Sequence, residues 1–182
     1  EEKELLDKLK EDADRIKKEL EDTLRELKKK HDDVNDRNRK HHEEVRRRAE
    51  KIKDKLRRDK VDEDEKRRIE EELRRLDEKS KKDEDRLKDE HEEITRELEK
   101  KKRDTRERIK KIRKDTEDKL RTKGTTGEEV RKRLDDLERE IKKIIDEIDE
   151  RHRRLTEENK RSLDRDREEL EKLKEEIKRT AD

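Results

Sequence analysis

The sequence has no cysteine, proline, methionine, phenylalanine, tyrosine or tryptophan, and only two glycines. Without cysteine there can be no disulfide, thiolate metal site or cysteine nucleophile. No run approaches the roughly 18 consecutive apolar residues that a membrane span needs. Disordered chains, which are also poor in apolar residues, are usually rich in proline, glycine, serine and glutamine. The absences therefore favour a helical protein without disulfides or a membrane span.

Charged residues make up 69% of the 182 residues, and apolar residues only 20%. The two signs balance, because 63 Lys and Arg stand against 62 Asp and Glu. Glu, Lys and Arg are strong helix formers. Proteins that bind nucleic acid concentrate basic residues on one face, whereas both signs are interleaved here. The composition predicts helices and no nucleic-acid partner.

The first loop is predicted at residues 59–63, Asp-Lys-Val-Asp-Glu. Asp62, followed three residues later by Glu65, fits a capping box, in which the two side chains satisfy free N–H groups at a helix start. The loop is short, so the helices on either side of it are expected to run antiparallel.

The second predicted loop, residues 122–127, contains both glycines of the chain. Gly124 suits the left-handed position that follows a helix C-terminus. Thr126 and Glu129 have the spacing of a second capping box. This loop also reverses the chain direction.

Cutting the chain at the two loops leaves three segments of nearly equal length, at about 2–58, 63–122 and 127–180. Each would form a helix about 80–90 Å long at a rise of 1.5 Å per residue. We therefore predict an all-α fold, an up-down-up antiparallel three-helix bundle that forms a single domain over residues 1–182.

Apolar residues occur about once per helical turn, and their pattern has an 18-residue period. The first repeat of the first segment is Leu6, Leu9, Ala13, Ile16 and Leu20. Two further repeats follow at residues 24–38 and 42–56. An 18-residue period in five turns is that of a straight α-helix, whereas a heptad repeat would impose a supercoil. The pattern predicts long, nearly straight, untwisted helices.

With its three equal helices, 18-residue core repeat, capping boxes and lack of aromatics, the whole chain resembles the parametrically designed helical bundles. More narrowly, it resembles the untwisted three-helix design with five core layers per repeat. The resemblance implies a monomeric, very stable scaffold with no assigned activity. No phosphate-binding loop, HExxH motif or EF-hand spacing occurs in the sequence, so no cofactor is predicted.

Several polar residues interrupt the apolar stripes. Aligning the helices about their loops places residue i of the first helix near 123 − i of the second and 126 + i of the third. Four groups result: His31 with His91 and Asn159, His42 with Ser80 and Asp166, Asn38 with Leu87 and Leu163, and His152 between Leu27 and Leu98.

Ser80, His42 and Asp166 could be interpreted as a nucleophilic triad. A continuous helix offers no oxyanion hole, however, and so narrow a seam leaves no substrate pocket. Two alternatives stay open: a buried hydrogen-bond set that fixes register, or side chains that lean out to solvent. Buried histidines would also resist protonation, so stability is expected to fall below about pH 6.

His31 and His91 could both reach a zinc ion, but with the amide oxygen of Asn159 they make a poor set for a metal that prefers four ligands. The neighbouring His41 and His42 point about 100° apart on a helix. We predict no catalytic, cofactor-binding or metal-binding residue.

The leading functional hypothesis is therefore a scaffold, not an enzyme, with no natural ligand and no expected partner, most simply a monomer. The alternative is an interaction or spacer protein of the coiled-coil type that binds partner helices or forms a homodimer through edge residues such as Leu5, Leu120 and Ile144. A single isolated helix is disfavoured by the two glycines and the capping boxes.

Overall fold

Three long helices make up the computed structural model, which describes residues 2–58 and 61–180. Helix α1 spans Glu2–Leu56, α2 spans Glu63–Lys123 and α3 spans Glu128–Arg179, and these ranges contain no strand. Every helix end lies within two residues of its predicted position. Asp59 and Lys60 of the first predicted loop lie outside the described residues.

Ion pairs between α1 and α2 show that these helices are antiparallel. Residue numbers fall along α2 as they rise along α1, from Glu19–Arg108 through Glu26–Lys101 to Lys30–Glu97. Between α1 and α3 the numbers rise together, as in Asn38–Asn159 and His42–Asp166. The predicted all-α, up-down-up three-helix bundle is thereby confirmed.

The contacts divide the chain into two compact units, and each helix contributes a stretch to each unit. Unit 1 consists of Glu1–Lys30 and Glu93–Arg153, and unit 2 of His31–Glu92 and Arg154–Asp182. Unit 1 has an aliphatic cluster next to the second loop, formed by Leu5, Leu9, Leu120, Val130 and Leu134. Unit 2 has a larger one, formed by Val45, Ala49, Ile52, Ile69, Leu73, Leu76, Leu170, Leu173 and Ile177.

The residues predicted at the edge of the bundle, Leu5, Leu120 and Ile144, are not exposed. Leu5 is 5% exposed and Leu120 is fully buried, so both belong to the core of unit 1. Ile144 is half-buried. No large hydrophobic side chain is exposed in residues 2–58 and 61–180. In that part of the chain, no helix is both long and apolar enough to cross a membrane.

Local charge placement supports the helices. Each begins with acidic residues and ends with basic ones, which favours the helix dipole. Ion pairs between residues four apart form at Glu44–Arg48 and Glu71–Arg75, at 3.4 and 3.5 Å. Glu138 pairs with another helix and accepts a hydrogen bond of 2.7 Å from Arg113 on α2.

The first loop ends in the predicted cap. Oδ1 of Asp62 accepts a hydrogen bond of 2.8 Å from the backbone N–H of Glu65. The carbonyl of Asp62 accepts the first helical hydrogen bond, from Lys66. Asp62 is therefore the N-cap of α2.

The second loop confirms one prediction and overturns another. Gly124 directly follows α2 in the left-handed conformation, with φ of 64°. The capping box of Thr126 and Glu129 was wrong, because α3 begins at Glu128 and its N-cap is Gly127. Gly127 has φ of 57°, and its N–H donates to the hydroxyl of Thr125 at 3.3 Å. A Cβ there would lie 2.5 Å from Cδ2 of Leu120, so any other residue would have to displace that side chain.

We predict that Gly127→Ala destabilises the protein more than Gly124→Ala. Both substitutions put a side chain at positive φ, which costs about 1–2 kcal/mol. At Gly127 the new methyl group also displaces Leu120 from the core, and such overpacking costs a further 1–3 kcal/mol or so. Urea unfolding at 25 °C measures both variants. Equal losses would mean that Leu120 adapts freely.

Candidate functional site

Most buried polar side chains lie in unit 2. Those of unit 1 are Thr23, Lys102 and Thr116, and those of unit 2 are His31, Asn38, His41, Ser80, Glu84, Asn159 and Asp166. Helices α1, α2 and α3 all contribute to the set in unit 2. If the chain has a chemical site, it lies here.

The first polar group joins two histidines to two asparagines. The rings of His31 and His91 are 5.7 Å apart between centroids and tilted by 43°. Nδ2 of Asn159 lies 3.0 Å from Nε2 of His91, and Oδ1 of Asn159 accepts from Nδ2 of Asn38 at 3.1 Å. The predicted grouping of His31, His91 and Asn159 is thus confirmed. The partner of Asn38 is Asn159, whereas aligning the helices about their loops had placed Asn38 beside Leu87 and Leu163.

The second polar group corrects the predicted triad. The buried histidine is His41, whereas the side chain of His42 is 36% exposed. Ser80 contacts Nε2 of His41 at 3.5 Å and is not bonded to His42. Nδ1 of His41 lies 3.1 Å from Oδ2 of Asp83. The sequence analysis placed His42 in the core, but the neighbouring residue His41 is on the buried face of α1.

The pairing of His42 with Asp166 is confirmed. Nδ1 of His42 donates to Oδ1 of Asp166, a residue only 1% exposed. Burial raises the pKa of the Asp166 carboxyl, and the hydrogen bond from His42 opposes that rise. Desolvation disfavours the ionised form of a carboxyl, whereas a donor favours it.

Ser80, His41 and Asp83 have the atomic order of a catalytic triad, since Ser Oγ faces His Nε2 and Asp faces His Nδ1. His41 and Asp83 line a groove of about 270 Å³ between α1 and α2. Ser80, however, does not line the groove and is 2% exposed. The surrounding N–H groups are used within α2, so they cannot stabilise an oxyanion. The arrangement is therefore a buried hydrogen-bond set.

The metal hypothesis has no geometric support. In the ranges that the structure describes, no three His, Asp or Glu side chains converge as metal ligands would. His31, His91 and Asn159 lie together, but they supply only two imidazoles and one amide. Zinc sites need more donors in a tetrahedral arrangement.

In unit 1, His152 and Lys102 each contact polar side chains. Nε2 of His152 lies 2.8 Å from the hydroxyl of Thr95 on α2. Lys102 is 8% exposed and donates to Glu99 and Asp149, both at 2.8 Å. Burial works against the charge of Lys102, but these two hydrogen bonds outweigh it and raise the pKa of the ammonium group.

Sequence reasoning missed two buried positions of the repeat. In α1 the buried series is Leu5, Thr23 and His41, and the predicted series Leu6, Leu24 and His42 is half-buried. In α2 the missed series is Glu84, Lys102 and Leu120. Hydrophobicity gave no signal at the polar members. Their 18-residue spacing from Leu5 and Leu120 was the available signal.

Comparison with known proteins adds little to this geometry. No protein-family model and no curated protein matches the chain. A solved structure described as a "Computationally designed three helix bundle" is similar, with a TM-score of 0.46 and 21% identity over 98% of this chain and 90% of that chain. A likeness this distant carries no argument, so the fold rests on the three helices themselves.

We predict that Asn159→Leu costs about 2 kcal/mol of unfolding free energy, because Asn38 and His91 each lose a buried hydrogen-bond partner. Asn35→Leu, at a half-buried position of α1, is the control and should stay within about 0.5 kcal/mol. Adding Asn38→Leu to Asn159→Leu should recover part of the loss. Urea unfolding at pH 7.5 measures all three. A neutral Asn159→Leu would contradict the network.

A second prediction concerns His152, whose pKa is lowered by burial and, less strongly, by Lys102, against the opposing effect of Asp149. The folded protein then binds fewer protons at this site than the unfolded chain, so stability falls as the pH drops below the ordinary value of 6.5. His152→Gln should reduce that fall. Urea midpoints at pH 7.5 and 5.5 test it, and equal falls in both proteins would contradict it.

Proposed function

We propose that the chain is a designed structural scaffold with no enzymatic activity, whose helices are packed through an 18-residue repeat of five core positions. The observation that carries the proposal is the spacing of buried residues. In α1, steps of 4, 4, 3, 4 and 3 residues lead from Leu5 to Thr23 and begin again there. Together the five steps make one 18-residue period, which corresponds to five straight helical turns.

The same spacing in the other helices supports the proposal. In α3 the buried positions Val130, Ile148 and Asp166 follow one another at the 18-residue period, as do Ile141, Asn159 and Ile177. In α2, Ile69 and Leu87 have this spacing, and so do Ser80, Leu98 and Thr116. The lack of aromatics, proline and cysteine, combined with strong helix formers on the surface, is consistent with a sequence chosen for helix propensity and patterning.

A monomer without partners is part of the same proposal. Large apolar interfaces between proteins need exposed hydrophobic patches, and the described residues expose no large hydrophobic side chain. The alternative, a spacer that self-associates or binds partner helices, has no comparable observation in its favour. Light scattering should therefore give the mass of one chain, 22.7 kDa. A doubled mass would favour the alternative.

The repeat itself is tested by removing one repeat from every helix. Deleting residues 23–40, 84–101 and 148–165 together removes five full turns from each helix, so the core positions should stay in phase. We predict that this shortened chain is a helical monomer with a single cooperative urea transition. Circular dichroism at 222 nm and light scattering measure both properties.

The matched control deletes two residues fewer from each helix at the same places, 25–40, 86–101 and 150–165. That length turns the two parts of each helix out of phase by about 160°. The control should lose cooperative unfolding or aggregate. If both deletions behave alike, the core does not depend on an 18-residue repeat.

A further inference from the structure

Asp166 has a buried oxygen that its surroundings leave unsatisfied. Its Oδ1 accepts from His42, but its Oδ2 has no hydrogen-bond partner in the described part of the chain. Asp166 is 1% exposed, so bulk water does not reach this oxygen. Leaving a buried charged acceptor unpaired costs more than a hydrogen bond to it would contribute.

The ring of His41 lies next to that oxygen. Nε2 of His41 is 3.9 Å from Oδ2 of Asp166. Because the carboxylate of Asp83 can only accept, a hydrogen bond across the 3.1 Å between it and Nδ1 of His41 requires a ring proton on Nδ1. Nε2 then presents a lone pair, which the hydroxyl of Ser80 contacts at 3.5 Å and which lies 3.9 Å from Oδ2 of Asp166. Ser80 does not reach Oδ2 of Asp166, and a proton between Nε2 and Oδ2 would give that oxygen its missing partner.

We propose that Asp166 Oδ2 and His41 Nε2 form a proton-binding site in unit 2, which takes up one proton as the protein folds. The bound proton converts two opposed acceptors into a buried hydrogen bond. The site therefore stabilises the fold more in mild acid than in base, which is the opposite of the effect expected from a histidine that is buried alone.

Charged groups around the site come from all three helices. They are Arg37, Lys40, His42 and Glu44 on α1, Lys79, Asp83, Glu84, Arg86 and Glu90 on α2, and Arg167 and Glu169 on α3. Glu44 is paired with Lys79, and Glu84 with Arg167. The carboxylates of Asp83 and Asp166 contact the imidazoles of His41 and His42. Taking up one proton reduces the net negative charge of these four groups.

The direction of the effect follows from proton linkage. Burial, the largest influence, raises the pKa of the Asp166 carboxyl above its ordinary value of 3.8. A raised pKa means that the folded protein binds more protons than the unfolded chain above that value, so stability grows as the pH falls through this range. The proton belongs to the Asp166–His41 pair, whichever atom holds it.

The test compares the intact chain with Asp166→Asn, which has nearly the same shape but cannot ionise. Urea unfolding between pH 8.5 and 5.0 gives the ratio of their folding constants. That ratio should rise in favour of the intact chain as the pH falls, by at most tenfold per pH unit for one proton. Asp164→Asn, at an exposed position of the same helix, is the control, and its ratio should stay flat.

A ratio that stays constant, or that falls in acid, would overturn the proposal. Nitrogen-15 and carbon-13 NMR of the unmodified chain gives a second test that does not depend on how the variant folds. At pH 5.5 we expect a proton on Nε2 of His41 or on the carboxyl of Asp166. Because His42 also contacts Asp166, the pH at which this proton is lost should differ in His42→Gln. An unprotonated Nε2 beside an ionised Asp166 at that pH would also overturn the proposal.

Discussion

Burial of one narrow stripe on each helix is the constraint on which the structure depends. About one residue per turn faces the other two helices, and nearly everything else on the surface is charged. A single stripe can close a three-helix bundle, but it cannot cover a helix on several sides. Within each unit, each stripe must therefore face the other two, and the short, capped loops at Asp62 and Gly127 start α2 and α3 in the orientation that makes this happen.

The proposed 18-residue repeat creates a difficulty, because helices displaced by one repeat would again bring apolar residues together. The ion pairs oppose that displacement. Glu19–Arg108 and Arg37–Glu90 are separated by one repeat on both helices, yet their charges are reversed. Between α2 and α3 the same reversal separates Lys102–Asp149 from Glu84–Arg167. A one-repeat shift would bring like charges together. Exposed pairs contribute little stability individually, so their main effect is on alignment.

The sequence predicts helices, loops and topology well, because each depends on local pattern: the 18-residue spacing, Asp62 as a cap, and Gly124 at a helix end. It predicts the polar core less well. Hydrophobicity cannot distinguish His41 from His42, and helical phase decides which is buried. Lys102 and Glu84 look like surface residues until Asp149 and Arg167 are seen to pair with them. The cap is Gly127 and not Thr126, because the first helical hydrogen bond runs from Arg131 to the carbonyl of Gly127.

The buried polar residues affect the fold in a different way from the surface ion pairs. Leu5, Leu120 and Val130 pack together in the aliphatic cluster of unit 1. Two repeats away on each helix stand His41, Glu84 and Asp166. Aliphatic residues of similar volume at those positions would equal or exceed the stability of buried ionisable groups. The aliphatic layer and the polar layer differ, however, so helices packed out of alignment would place Asp166 or Glu84 against leucine. Burying a charged group in that way costs free energy. The polar residues of unit 2 thus contribute more to the uniqueness of the fold than to its stability.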